Sequence, residues 1–317
     1  MTDPAKPIAV SVPVSVPLSV PEAAPSGDSL RGFGFALTAY LFWGVLPIYM
    51  KAMAHIPTLE VIAHRILWSV PVALGILWWL GRTSDLRAAL RSPKMLRMGV
   101  VTAGLISVNW GVYVWAIQSG QALEAALGYY INPLFSIFLG RVVLGERLSR
   151  MQWVAIALAA VAVSVLTWET GRLPVVALSL MLSWGMYAYF KKSLPIGPNQ
   201  GFALEVLMLV PFALGYMIWL QVSGQAVFLN TTVSDSLLLA GCGIVTAVPL
   251  MVYANGAKLL RLSTIGIMQY ITPTIVLLVA VFVFDEPFGT ARALAFPLIW
   301  AALVLYTFSM VQQARRG

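Results

Sequence analysis

Apolar residues in this chain do not alternate with polar ones. They run for about 20 positions at a time, and short polar segments that hold most of the charge separate the runs. A run of that length crosses a hydrocarbon layer as a helix, since each residue rises about 1.5 Å and the layer is about 30 Å thick. Ten such spans are predicted, near 33–53, 58–80, 95–118, 122–144, 151–169, 173–192, 201–220, 236–257, 263–284 and 292–312. Backbone groups in lipid must find partners within their own segment, so the fold class is all-α and integral to a membrane.

The pattern also repeats. VPVALG at Val70 to Gly75 returns as VPFALG at Val210 to Gly215, and the same offset of 140 pairs Tyr113 with Tyr253, Tyr130 with Tyr270, Pro133 with Pro273 and Glu146 with Glu286. Trp43-Gly44 returns as Trp184-Gly185, one residue out of phase, which a single loop insertion accounts for. Five spans per copy is an odd number, so the second copy enters the membrane from the opposite side. Ten transmembrane helices built as two inverted five-helix repeats, residues 32–170 and 171–317, are therefore expected, an arrangement typical of secondary transporters.

Composition strengthens this picture without changing it. The chain is 60% hydrophobic and 10% charged, against about 25% charged in a soluble domain. Of the twenty Lys and Arg, sixteen fall in the termini and loops that share a side with the N-terminus, three (Lys51, Arg172, Arg292) fall opposite, and Arg65 lies within a span. The positive-inside rule then puts both termini in the cytoplasm. The net charge of +8 is a topology signal. Its basic residues are spread over short loops and form no clustered face for nucleic acid.

Residues 1–31 differ from the rest. VSVPVSVPLSVPEAAP places a proline every four to five positions, which excludes a helix and predicts an extended, disordered cytoplasmic tail. Prolines also break every apolar run long enough for a secretory signal. The lone Cys242 has no partner for an internal disulfide and reads as a buried thiol in a span.

Ionisable groups inside a membrane are costly and mark a solute path or a structural pair. In the second span Glu60, His64 and Trp68 share one face at intervals of four, and Arg65 lies about 12 Å from Pro57 at 1.5 Å per residue. Two readings of Arg65 stand: a guanidinium facing a wet cavity, where its fork suits a carboxylate, or a fixed salt bridge between helices. His64 is either a proton carrier or a hydrogen-bonded interhelical histidine. The fourth span carries Glu124, Gly128, Asn132, Ser136 and Gly140 at intervals of four, a narrow stripe whose small members allow close helix approach. Pro133 frees the carbonyl of Tyr129, and its repeat partner Pro273 frees that of Gln269. A proline-interrupted pair at matching positions is the best pointer to a transporter's central site, which makes Tyr129, Asn132, Gln269 and Tyr270 candidates for lining it. Asn109, Trp110 and Tyr113 in the third span, with Tyr253 and Asn255 in the eighth, add polar and aromatic groups suited to a small amphiphile, though an aromatic in a span is also ordinary packing. The repeat offset sets Arg65 against Glu205, opposite charges that can receive the two ends of a zwitterion.

The stretches EVIAHR at Glu60 to Arg65, Asn109-Trp110, LEAALGYYINPL at Leu123 to Leu134, LGERLSRMQW at Leu144 to Trp153 and RLSTIGIMQYITPT at Arg261 to Thr274 resemble the EamA group of the drug/metabolite transporter superfamily, and within it the RarD permeases. The second half departs from the first by reading Asp285-Glu286-Pro287 where the first has Gly145-Glu146-Arg147. The resemblance implies a permease working by alternating access on a small polar, zwitterionic or amphiphilic solute. In it Arg65 takes an acceptor, Asn109, Asn132 and Gln269 supply neutral hydrogen bonds, and Glu60, His64, Glu124 and Glu205 are candidates for proton coupling. The partners are that solute and the lipid bilayer, with no nucleic acid, cofactor or metal, and the oligomeric state is left open. The rival classes are a membrane-embedded enzyme and a non-transporting scaffold or channel. Against an enzyme stands the lack of H-E-x-x-H, of a cysteine cluster, of G-x-S-x-G and of a nucleotide-binding loop.

Overall fold

The computed structural model of the protein describes residues 29–314, apart from 145, 146, 193, 258 and 261. Twelve helices are found among the described residues: α1 Leu30–Ala52, α2 Thr58–Trp79, α3 Thr83–Leu90, α4 Pro93–Gln118, α5 Ala122–Leu144, α6 Arg150–Thr170, α7 Val175–Lys192, α8 Pro198–Val222, α9 Val233–Ala257, α10 Leu262–Met268, α11 Ile271–Phe282 and α12 Gly289–Ala314. Nine stretches are long and apolar enough to cross a membrane, α10 and α11 counting together as one, and α7 is a shorter apolar helix. The tail expected at residues 1–31 lies outside the described residues except at its end, where Leu30 and Arg31 belong to α1 and Ser29 caps it by accepting from the Gly32 N–H at 3.4 Å.

Local chemistry sets the helix ends. Ser92 caps α4 just ahead of Pro93, whose missing N–H costs nothing in the first turn. Ser149 and Gln152 form a reciprocal capping box on α6, and Gly171 ends that helix at φ 66, a conformation that only glycine adopts without strain. The ninth expected span is interrupted at Gln269–Tyr270, ahead of Pro273, which has no N–H to give the Gln269 carbonyl. Its counterpart α5 stays helical through Pro133. The short α3 was no expected element. It buries Leu86 and Ala89 beside α8 and α4.

Contacts between loops show that the helices traverse the bundle alternately. Gln118 Nε2 donates to the carbonyls of Met53 and Ile56, and His55 meets Asp235, so the loops after α1, α4 and α8 share one end. Ser29 bonds Leu259, Asp85 bonds Gln200 and Ser149 bonds Ser309 at the other end, where α1 begins and α12 finishes. In the interior, α1 packs on α9 and α11, α7 on α4 and α5, α2 on α8 and α9, and α4 on α8, while α5 meets α11 and α6 meets α12. Small residues allow these approaches. A Cβ on Gly128 would lie 2.7 Å from the Ala177 carbonyl oxygen, one on Gly44 2.7 Å from Ile275 Cβ, one on Gly185 against the Phe135 ring and one on Gly243 against the Trp68 carbonyl. The outer surface is apolar, with Trp78, Trp79, Trp168, Phe212 and Phe282 at least three-quarters exposed, as suits side chains in contact with lipid.

Candidate solute site

Five helices, α2, α4, α5, α7 and α9, bring polar and aromatic groups together around Arg65. The α2 residue Arg65 is 3% exposed, its guanidinium carbon stands 4.8 Å over the Trp110 ring, and its Nε donates to Thr246 Oγ1 at 3.1 Å. Tyr113, Tyr129 and Cys242 lie close enough to feel its charge. No carboxylate pairs with it among the described residues, and its Nη1 has no hydrogen-bond partner there. From this point the network runs into α5 and α7. Tyr129 donates to Asn109 Oδ1 at 3.2 Å, Asn109 Nδ2 donates to Ser183 Oγ at 3.0 Å, and the Tyr129 ring packs at 5.9 Å on Tyr113 and 6.3 Å on Trp184. Asn132, one turn beyond Tyr129, is buried with an unpartnered Oδ1 beside Gly185.

Energetics single out Arg65. Removing a charged group from water costs several kcal/mol even after relaxation. A desolvated cation–π contact returns about 2 kcal/mol, and one hydrogen bond to a hydroxyl returns about 1–3 kcal/mol. These offsets leave the guanidinium short of an acceptor, which an anionic group would supply.

The other sequence candidates are placed elsewhere. Glu205 is fully buried but pairs with Lys191 Nζ at 2.6 Å and accepts from the Tyr187 hydroxyl at 3.1 Å, so its charge is met within α7 and α8 and not by Arg65. Glu124 stands in the first turn of α5 and makes an ion pair of 3.5 Å with the exposed Arg172. Glu60 is fully buried and accepts from the Val227 and Phe228 N–H groups. His64 Nδ1 accepts from Trp68 Nε1 at 3.0 Å. Indole can only donate, so the neutral ring carries its hydrogen on Nε2, and a proton added at Nδ1 would break that bond. His64 and Trp68 also line an apolar groove of about 560 Å³ between α2 and α8 that contains Pro71, Met217 and Phe228. Gln269 and Tyr270 lie at the α10–α11 break, half-buried. Near them Tyr40, Trp43 and Tyr253 form a second aromatic cluster with centroid distances of 5.4–5.9 Å.

Sequence reasoning missed Ser183, Trp184 and Tyr187 as site neighbours, and Thr246 as the Arg65 partner. The signal was present on α7: Ser183, Tyr187 and Lys191 fall at intervals of four, the same rule that drew attention to α5. Lys191 had been counted only as a topology charge.

Among the described residues, a helical bundle with an apolar outer surface and a buried polar and aromatic cluster around a cation that no carboxylate meets has the architecture of a multi-pass membrane protein. Comparisons agree. The EamA-like transporter family model matches residues 30–168. The chain is 40% identical to the uncharacterized transporter YojE of Bacillus subtilis, over 91% of this chain and 97% of that one. It is 42% identical to Protein RarD of Streptomyces exfoliatus (91% and 90% covered) and 37% identical to Protein RarD of Escherichia coli (90% and 97%). A solved crystal structure shares the fold at a TM-score of 0.55 and 20% identity, covering 88% of this chain and 96% of its own. The chain belongs to the RarD-type permeases of the EamA-like transporter family, and is a membrane transporter.

Proposed function

We propose that the protein is a secondary transporter of the bacterial inner membrane, and that it moves a small polar, zwitterionic or amphiphilic solute by alternating access between two inverted five-helix halves. Residues 32–170 and 171–317 are the halves, α7 counts as the sixth of ten spans, and both termini are cytoplasmic. The packing supports the inverted repeat. Exchanging α1 with α7, α2 with α8, α4 with α9, α5 with α11 and α6 with α12 turns each of the principal helix pairs given above into another pair of the same set. The close contact of Gly44 with Ile275 likewise matches that of Gly185 with Phe135, at sequence offsets of 141 and 140.

The observation that carries the solute assignment is the buried Arg65 with a free Nη1 and no acidic partner among the described residues. It receives a carboxylate or similar acceptor of the solute, its planar fork giving two parallel bonds. Trp110, Tyr113 and Tyr129 wall the site, Asn109 and Asn132 add neutral polar groups, and Gln269 and Tyr270 serve the other side of the midplane. Glu60, His64, Glu124 and Glu205 are the candidates for proton coupling, each of them held by partners outside the Arg65 cluster. Arg65→Lys keeps the charge and loses the fork. In proteoliposomes loaded with candidate carboxylate solutes, that variant should lose saturable flux about tenfold or more while its melting temperature stays near that of the parent. Normal flux in Arg65→Lys would remove Arg65 from the site.

A further inference from the structure

The end of the bundle away from the termini is held by carboxylates that reach from one half to the other. After α11 the chain makes a tight turn: Phe284 N–H bonds the Val279 carbonyl at 3.0 Å, Glu286 N–H bonds the Ala280 carbonyl at 2.9 Å, and Asp285 sits at φ 53. Asp is among the few residues that enter this left-handed region readily. The turn aims the Glu286 carboxylate at the start of α5, where Oε1 accepts from Ala122 N–H at 2.7 Å and Oε2 from Leu123 N–H at 2.9 Å. The first N–H groups of a helix have no partner within it, and Gln121, just ahead of α5, turns its side chain to Ser119 instead.

Glu60 makes the converse link. From the first turn of α2, its Oε1 accepts from Val227 N–H at 2.8 Å and Phe228 N–H at 3.0 Å, in the loop between α8 and α9. His55 Nε2 and Asp235 Oδ1, 2.9 Å apart, add a third bridge between the halves. At the opposite end a serine pair, a backbone bond and the 3.3 Å contact of Gln200 with Asp85 also link the halves.

We infer that Glu286 and Glu60 are the positioning residues of an external gate. With both clamps made, as in this structure, the Arg65 site is shut off from the outer face, and releasing them opens it. The inference rests on the transporter reading and on its orientation. Each clamp acts on a helix of the site: Glu286 fixes the start of α5, which carries Tyr129 and Asn132, and Glu60 lies five residues before Arg65 on α2. Hydrogen bonds to an ionised acceptor are about twice as strong as neutral ones, and a helix N-terminus favours the negative charge. Two such bonds per clamp hold a closed end, and water can replace them when it opens.

The experiment uses the full-length chain with Cys242→Ala and Ser183→Cys, so that the one thiol lies beside Asn109. A membrane-impermeant thiol reagent is applied to right-side-out and to inside-out vesicles. Glu286→Gln leaves an amide that accepts from one N–H and opposes the other, and Glu60→Leu removes the second clamp. Together they should raise labelling from the outer face about tenfold or more, since each lost charged bond alone weighs that much on a two-state equilibrium, with no rise from the cytoplasmic face. An unchanged outer rate would overturn the gate, and so would an equal rise from both faces, which is general loosening. Should that pair of changes prevent folding, His55→Cys with Asp235→Cys tests the gate with both clamps intact. Labelling is then read at position 183 alone, from the mass of its peptide: the oxidised pair should block it from the outer face and reduction restore it, and equal labelling of position 183 in both states would overturn the gate. Labelling needs no solute, so faster outer labelling in a protein with no flux for any solute would leave the gate standing and sink the transport reading.

Discussion

At the scale of single residues, the buried Arg65 and the half-buried Lys191 show how the cost of a desolvated cation is met in different ways. Lys191 has a carboxylate at 2.6 Å, and its ammonium also stands 5.5 Å from the Tyr187 ring centroid, so the charge pair is complete within the protein. Arg65 has a ring, a hydroxyl and no carboxylate. Removing one partner of a buried pair is strongly destabilising because it strands the other. Lys191→Ala should therefore cost about 3 kcal/mol and lower the melting temperature of the purified protein. A second change, Glu205→Gln, should restore much of that loss. Arg65→Ala strands no carboxylate among the described residues, so it should leave the melting temperature near the parent value while abolishing flux. A larger loss of stability for Arg65→Ala than for Lys191→Ala would reverse the two roles.

At the scale of elements, the small residues of α5 and α7 decide how closely the site helices approach. Gly128 meets the Ala177 backbone, and Gly185 meets Phe135 near Asn132. A larger side chain at Gly128 must push the helices apart, because backbone cannot move aside as a flexible side-chain end can, and one at Gly185 must displace the Phe135 ring. Overpacking of this kind costs about 1–3 kcal/mol. Gly128→Leu should lower thermal stability by that order and weaken solute binding in a thermal-shift titration, since it displaces Tyr129 relative to Ser183 and Trp184. Unaltered stability would mean that α5 and α7 are less closely packed than described. The break between α10 and α11 has a different origin, a proline without an N–H. Pro273→Ala should favour a continuous helix there and slow transport, with little loss of stability.

At the scale of the whole molecule, loop contacts put the links from 53–57, 118–122, 171–174, 223–232 and 283–288 at one end of the bundle and the termini at the other. Charge then gives the ends their sides. Reporter tags at residues 1 and 317 should both read cytoplasm, and one inserted near Gly120 should read the outside. Opposite locations for the two termini would break the ten-span arrangement and the inverted repeat with it.

Much of this was legible before any coordinates. The span boundaries follow from apolar run length alone, and α2, α4, α5, α6 and α12 fall within a few residues of their expected limits, because lipid imposes one length and one hydrogen-bonding pattern on any crossing segment. The depth of Arg65 and the small-residue stripe on α5 were also visible, since period and rise are fixed properties of a helix. Which faces meet was not. Glu60, Glu124 and Glu205 all read as titratable groups beside a solute path, yet each carboxylate is engaged by a partner on another element: a loop backbone, Arg172 or Lys191. Helix rotation and the long-range partners of a charge depend on packing between segments far apart in sequence, and a periodicity within one helix carries no record of its neighbours. The sequence determined that the chain is helical and membrane-spanning and where most of its long helices lie. Only the tertiary structure decided which buried charge was left without a partner.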